Sequence, residues 1–293
     1  EVMQNYSVLQ TSMISAERVF EVIDRRDYEP IQKNKDLKIQ KGDIEFRDVS
    51  FSYDGKRDIL KHISFKVKQG ETIAFVGSTG SGKSSINLFL RFYEFERGQI
   101  LIDGHDIKDY SQAELRRHIG LVLQDPFLYH GTVASNIQMY QEGLSLQDIE
   151  EAAKFVDAHD FIHQLPLTYD APVTERGAAF SSGQRQLLAF ARTVATKPKI
   201  LILDEPTAVL TTQETAELFK ELVHLKKQGY TLIFISHKLN EIMEITDRLS
   251  ILRGGKFLGV YETKEVTPEK ISRLMVGRDV ILQVEKEMAK PTK

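Results

Sequence analysis

Gly77-Ser78-Thr79-Gly80-Ser81-Gly82-Lys83-Ser84 is the stretch that decides the fold. It has the form G-x-x-x-x-G-K-S. Glycines let a backbone curl so that successive N–H groups converge on phosphate oxygens. The lysine adds a full positive charge at the β- and γ-phosphates, and the last serine offers a hydroxyl to Mg2+. A pattern with four fixed positions also arises by chance in a flexible Gly/Ser turn, so its flanks decide. Residues 72–76 are a continuous apolar run, as in a strand buried on both faces. Residues 84–92 read as a helix, whose N-terminal end presents positive charge to an anion. Strand, glycine loop and helix in that order predict a nucleotide-binding α/β domain.

Downstream, the apolar run Ile200-Leu201-Ile202-Leu203 ends abruptly in Asp204-Glu205. Burying charge is costly, so adjacent carboxylates at a strand end suit chemistry better than stability. Asp204 is placed to hold the Mg2+ shell, and Glu205 to orient or deprotonate an attacking water. His237 follows the strand predicted at 231–235, and Gln124 follows a short one at 121–123. Polar residues at several strand ends, along one edge of one sheet, are the layout of a nucleotide site.

The rest of the chain fits this plan. Ile44 and Phe46, then Val49 and Phe51, form two short alternations, and Ile63, Phe65 and Val67 another. Ile100 to Ile102 followed by Asp103-Gly104 reads as a hairpin. Residues 132–196 are mostly helical, with Ser145 and Asp148 as a capping box opening a helix at 146–156 and another helix at 184–195. A helix at 213–227 and a last strand pair near 248–262 follow. Strand–helix alternation around a helical block predicts a parallel α/β sheet with an inserted helical subdomain.

At the start, Val8, Leu9, Met13, Ala16, Phe20 and Ile23 recur at helical spacing and predict a helix over 3–25. A charged, solvated linker follows, so that apolar stripe is expected to pack on something outside this chain. Composition is ordinary for a globular protein of 293 residues, with 41% hydrophobic and 28% charged residues and a net charge of -3. That balance points away from nucleic acid as a partner. The absence of cysteine excludes disulfides, thiolate metal sites and cysteine nucleophiles. No apolar run is long enough to span a bilayer, and no signal peptide is visible.

Ser181-Ser182-Gly183-Gln184-Arg185-Gln186 then makes the chain resemble a known family. The segment resembles the signature LSGGQ of ABC transporter ATPase domains, which other G-x-x-x-x-G-K-S classes lack. The resemblance implies a P-loop NTPase with a RecA-like parallel sheet core, an antiparallel β subdomain and an inserted helical subdomain at about 126–196. It implies an ATPase domain over 43–280, preceded by the end of a membrane-domain helix (1–26) and a linker (27–42), and followed by a tail (281–293). ATP and Mg2+ are the implied cofactors. The implied partners are a second such domain, stacked head to tail, and a transmembrane domain that holds the chain at the cytoplasmic face of the membrane. Residue by residue, Tyr53 is similar to the aromatic that stacks on adenine, and Gly77 to Ser85 to the phosphate loop. Gln124 resembles the residue that senses Mg2+ and meets the membrane partner. Glu175-Arg176-Gly177 resembles an exporter contact loop. Ser181, Ser182, Gly183 and Gln184 would bind the γ-phosphate of the partner's ATP. Ser84, Gln124 and Asp204 would hold the metal. Glu205 is similar to the catalytic base and His237 to the γ-phosphate switch residue.

Two departures stand out. Phe180 and Ser182 replace Leu and Gly of the signature, and Thr211 stands where exporters carry an acid. In addition, Glu205-Pro206-Thr207-Ala208-Val209-Leu210-Thr211, Ser236-His237-Lys238-Leu239-Asn240-Glu241 and Leu274-Met275-Val276-Gly277-Arg278-Asp279 resemble sugar or nucleoside importers, whereas residues 1 to about 198 resemble a heterodimeric multidrug exporter. A chimera joined near residue 200 is the expectation this raises, with a single divergent lineage as the alternative. Two other functional readings stay open: a folded nucleotide binder with little turnover, and a DNA-repair ATPase. The second would need a long coiled coil between Gln124 and Ser181, and no heptads occur there.

Overall fold

Alternating apolar residues build the first strand pair, β1 (Ile44–Phe51) and β2 (Leu60–Val67), which run antiparallel with Phe46 opposite Phe65 and their rings stacked at 4.5 Å. The two alternations expected at 44–46 and 49–51 are one strand. An irregularity between Phe46 and Val49, with Asp48 at φ 50, resets the alternation so that both halves face inward. In this computed structural model the described residues are 13, 16–20, 37–53, 55, 56, 58–77, 86–95, 97–139, 141 and 143–277. Residues 78–85, most of the helix expected at 3–25, the first part of the linker and the tail lie outside them.

The chain continues with β3 (Thr72–Gly77), α1 (Ile86–Phe89), the hairpin β4 (Arg97–Ile102) and β5 (His105–Asp106), α2 (Gln112–His118) and β6 (Ile119–Val122). Next come the pair β7 (Gly131–Thr132) and β8 (Pro172–Val173), enclosing α3 (Val133–Gln138), α4 (Leu146–Phe155) and α5 (His159–His163), and then α6 (Ser182–Ala195). The last part alternates: β9 (Ile200–Asp204), α7 (Thr212–Lys227), β10 (Thr231–Ile235), α8 (Leu239–Ile245), β11 (Arg248–Arg253), β12 (Lys256–Glu262) and α9 (Pro268–Val276). The Ser145–Asp148 capping box opens α4, and similar boxes at Ser181/Gln184 and Thr211/Glu214 open α6 and α7.

Among the described residues, ten strands join in the order β5-β4-β1-β2-β12-β11-β3-β10-β9-β6. The part from β11 to β6 is parallel, with β3, β9 and β10 buried along almost their whole length. The part from β5 to β2 is antiparallel. One registered pair, Lys61 opposite Lys256, joins β2 to β12. Beside it Lys61 N–H donates to the Gly255 carbonyl at 2.9 Å. Only glycine fits there: at φ 77, a Cβ on Gly255 would lie 2.0 Å from the Ile59 carbonyl oxygen.

One buried cluster lies between the antiparallel strands and the parallel sheet, with Phe46, Phe65, Phe75, Phe89 and Ile202 among its members. A second covers the other face and runs without a break from Leu203 and Phe234 into Leu188, Ile149 and Ile137 of the helical block. The helical insertion therefore shares its core with the sheet.

Packing begins before β1. Ile39 is buried, and its N–H donates to Glu114 at 3.0 Å. The N–H groups of Gln40, Lys41, Gly42 and Asp43 all donate to the Asp103 carboxylate, at 2.7–3.0 Å. Burial pushes this carboxyl up, but the four donors together outweigh it and hold it below the usual carboxylate range. The second half of the expected solvated linker is thus docked on the domain. Residues 1–33 form a separate unit, in which residues 13 and 16–20 are helical with Met13, Val19 and Phe20 exposed. No helix among the described residues is long and apolar enough to cross a membrane.

Candidate functional site

Parallel register brings the carboxyl ends of four strands level. Phe75 lies opposite Ile235, Ile235 opposite Asp204, and Leu203 opposite Val122. Gly77, where β3 opens into the glycine loop, therefore shares one sheet edge with His237, Asp204, Glu205 and Gln124. Such an edge, outside the strand ends of an open parallel sheet, is where ligands bind. Gly77 is buried at the strand end, while Ser78, Thr79, Gly80, Ser81, Gly82, Lys83, Ser84 and Ser85 lie outside the described residues.

Glu205 is the most constrained residue of that edge. It is only 4% exposed, and its backbone is left-handed at φ 48. A non-glycine residue there costs on the order of 1 kcal/mol. Its N–H donates to the Ile235 carbonyl at 2.8 Å, locking the end of β9 to β10. Its Oε1 lies 2.8 Å from Nδ1 of His237, whose side chain is 61% exposed. With Nδ1–H donating to the carboxylate, Nε2 remains on the open side of the ring. A buried carboxylate, aimed by a strained backbone and touched by a largely exposed imidazole, is arranged to hold and move a proton.

Behind this pair lies a lock that sequence reasoning missed. The buried Thr207 hydroxyl lies 2.7 Å from both oxygens of Glu241. Lys238 Nζ donates to the Thr207 carbonyl at 3.0 Å and pairs with Glu241 at 3.0 Å. Ser236 Oγ reaches Glu241 at 3.4 Å and accepts from Lys238 N–H at 3.0 Å. These bonds tie the loop after Glu205 to the loop carrying His237. The spacing of Lys238 and Glu241, three apart at a helix start, was the only sequence signal available.

The signature segment forms the N-terminus of α6. Ser181 Oγ accepts from Gln184 N–H at 3.1 Å, and Gln184 Oε1 accepts from Ser181 N–H at 2.9 Å. Ser182 is exposed in the first turn. Gly183 is buried, and a Cβ there would come within 3.2 Å of Glu214 Oε1, part of the capping box of α7. The two helix starts are therefore packed against each other. Among the described residues no side-chain hydrogen bond joins Ser181 or Gln184 to Gly77 or His237; the segment presents its turn outward.

Further along, α6 grips the Gln124 loop. Gln186 Nε2 donates to the Leu123 carbonyl at 3.2 Å, Thr193 Oγ1 to that of Leu121 at 3.3 Å, and Arg192 to that of Phe127 at 3.0 Å. Burial pushes the Arg192 guanidinium down from its ordinary value. Gln124 itself is exposed, two residues beyond β6. Leu123, Phe127 and Tyr129 around it are 49%, 48% and 41% exposed, a concentration of apolar surface beside the site. Arg176, in the contact loop expected before the signature, is left-handed at φ 56. Tyr53 stands half exposed beyond β1, its ring edge-on to Phe51 at 4.9 Å.

Comparison with known proteins shows which family the chain belongs to. A family model described as ABC transporter matches residues 60–208. The exp8 protein of Streptococcus pneumoniae, named as an ABC transporter ATP-binding protein, is 58% identical over 261 residues, covering 87% of this chain and 44% of that protein. An ATP-dependent lipid A-core flippase of Saccharophagus degradans is 40% identical over 253 residues, covering 86% of this chain and 43% of that one. The solved structure of a bacterial Atm1-family ABC exporter with ATP bound superimposes with a TM-score of 0.79 at 34% identity, covering 89% of this chain and 46% of that chain. The chain spans less than half the length of these relatives. The 261 residues shared with exp8 extend across position 200, so a join there finds no support.

Proposed function

Since the chain belongs to the ABC transporter family of ATP-binding domains, we propose that it hydrolyses ATP in a head-to-tail dimer and so drives transport through a transmembrane partner at the cytoplasmic face of a membrane. The observation that carries this reading is the buried Glu205 carboxylate, held by His237 on the strand edge where the glycine loop opens.

In this reading Gly77 and residues 78–85 wrap the phosphates, with Lys83 opposing their charge. Tyr53 offers a ring face to the adenine. Asp204, Gln124 and Ser84 are carboxylate, amide and hydroxyl oxygen donors, a hard donor set that suits Mg2+. Bound there, the metal would draw charge from the β- and γ-phosphates. Glu205 accepts a proton from the water as its oxygen attacks the γ-phosphorus and the bond to the β-bridging oxygen breaks. His237 keeps the carboxylate aimed and turns Nε2 toward the γ-phosphate. The turn carrying Ser181, Ser182, Gly183 and Gln184, with its two serines exposed, closes over the ATP of a second domain, helix N-terminus to phosphate. The exposed Leu123, Phe127 and Tyr129 around Gln124 supply a docking surface for the membrane domain, and the bonds from α6 to that loop give a route to the signature.

Phosphate release measured against protein concentration, with ATP-dependent crosslinking, tests the reading. Turnover that rises with concentration and a crosslinked dimer support it. Turnover per molecule that is independent of concentration, with no dimer, overturns it.

A further inference from the structure

Tyr93 belongs to none of the motifs above, yet it stands against Tyr53. Their ring centroids are 4.9 Å apart with the planes at 76°, edge to face. Both rings rest on the buried Phe51, Tyr53 at 4.9 Å and Tyr93 at 5.9 Å. Both are about half exposed, at 50% and 45%. Two large rings left in water side by side are poorly used by the core, whereas an exposed face suits a flat ligand.

We infer that Tyr93 is a positioning residue for the base of the nucleotide: its edge-on contact holds the Tyr53 ring in the plane that receives the adenine. The inference rests on the ATP reading above and on Tyr53 as the base platform. A ring that stacks on a ligand loses rotational freedom on binding, and that loss weakens affinity unless the free protein has already fixed the ring. Phe51 supports Tyr53 from one direction and Tyr93 from another, so the platform is fixed before ATP arrives. Removing the Tyr93 ring leaves Phe51 as the one aromatic contact of Tyr53 among the described residues. The hydroxyl of Tyr93 plays no part in this contact, so phenylalanine serves equally well.

The test is a set of binding titrations on the full chain, with Mg-ATP and with Mg2+ plus inorganic tripolyphosphate, which has phosphates but no base. Unliganded melting temperatures control for folding. Tyr93→Ala is expected to raise the Kd for ATP about two- to tenfold and to leave that for tripolyphosphate unchanged. Tyr93→Phe is expected to match the parent, and Tyr53→Ala with Tyr93→Ala to bind ATP no worse than Tyr53→Ala alone. Equal losses for ATP and tripolyphosphate would overturn the inference, as would an unchanged ATP affinity in Tyr93→Ala when Tyr53→Ala is weakened. ATP affinity unchanged in Tyr53→Ala would instead remove the base platform itself, and this inference with it.

Discussion

Nδ1 of His237 lies 2.8 Å from Oε1 of Glu205, across the ends of the adjacent parallel strands β10 and β9. The contact joins a carboxylate buried to 4% exposure with an imidazole that faces solvent. Proton traffic between a dry group and a wet one is therefore available without any rearrangement of the strands.

Glu205→Gln keeps the shape and one hydrogen-bonding oxygen but removes the proposed base. Hydrolysis is expected to fall by about two decades or more, while ATP binding persists and an ATP-bound dimer accumulates. Phosphate release and size-exclusion chromatography with ATP check both. Unchanged hydrolysis would sink the assignment.

His237→Ala frees the Glu205 carboxylate from its aim. The expected effect is a loss of about two decades in kcat with little change in KM. A mutant that lost affinity and kept kcat would show that His237 only binds.

The left-handed backbone at Glu205 can be measured apart from its charge. Alanine ordinarily outranks glycine in stability, but at φ 48 the order reverses. Glu205→Gly is expected to unfold about 1 kcal/mol later than Glu205→Ala in denaturant titrations. The opposite order would mean the strain is absent in solution.

Ser182 is exposed in the first turn of α6, and in the proposed head-to-tail dimer its side chain would stand between the helix N-terminus and the incoming phosphate. Ser182→Gly is expected to raise turnover and ATP-dependent dimerisation, with the gain largest at low protein concentration. Equal or lower turnover across the concentration range would show that the serine is no obstacle.

Asp103 gathers four backbone donors from residues 40–43, and its folded pKa is lowered. A depressed carboxyl contributes stability above its unfolded value, about 3.9, and loses that contribution as pH falls through the folded value. Asp103→Asn, which tolerates the left-handed turn at φ 51, is expected to cost about 1–2 kcal/mol at neutral pH after allowance for solvent screening. Against the parent protein the gap should close as pH drops below about 4. A gap that is constant with pH would assign the loss to packing instead.

Patterns confined to one element were legible in the sequence. The strand at 231–235 follows from a continuous apolar run and stands as read, and the helix read at 146–156 from its Ser–Asp pair ends one residue sooner, at Phe155, with Val156 as its C-cap. The placement of Gln124, Asp204 and His237 at or just beyond strand ends follows from where those runs stop. Contacts between distant segments leave no periodicity to read. The Thr207–Glu241–Lys238 lock, the capture of Ile39 by Glu114 and the bond from Glu205 N–H to the Ile235 carbonyl are of that kind. Ile39 sits in a charged stretch that reads as solvated, yet Glu114 captures its N–H and Asp103 holds the N–H groups of the four residues that follow it, both from far along the chain.

Among the described residues Lys61 opposite Lys256 is the one registered pair between β2 and β12, so the large sheet divides there into two leaves. Tyr53 extends from the leaf on one side and Gly77 from the leaf on the other. A nucleotide gripped by its base at Tyr53 and by its phosphates beyond Gly77 would act as a staple across that fold line. Its adenine and its triphosphate would then report on the angle between the leaves, and an empty site would leave that angle to side-chain packing and one rung of the ladder.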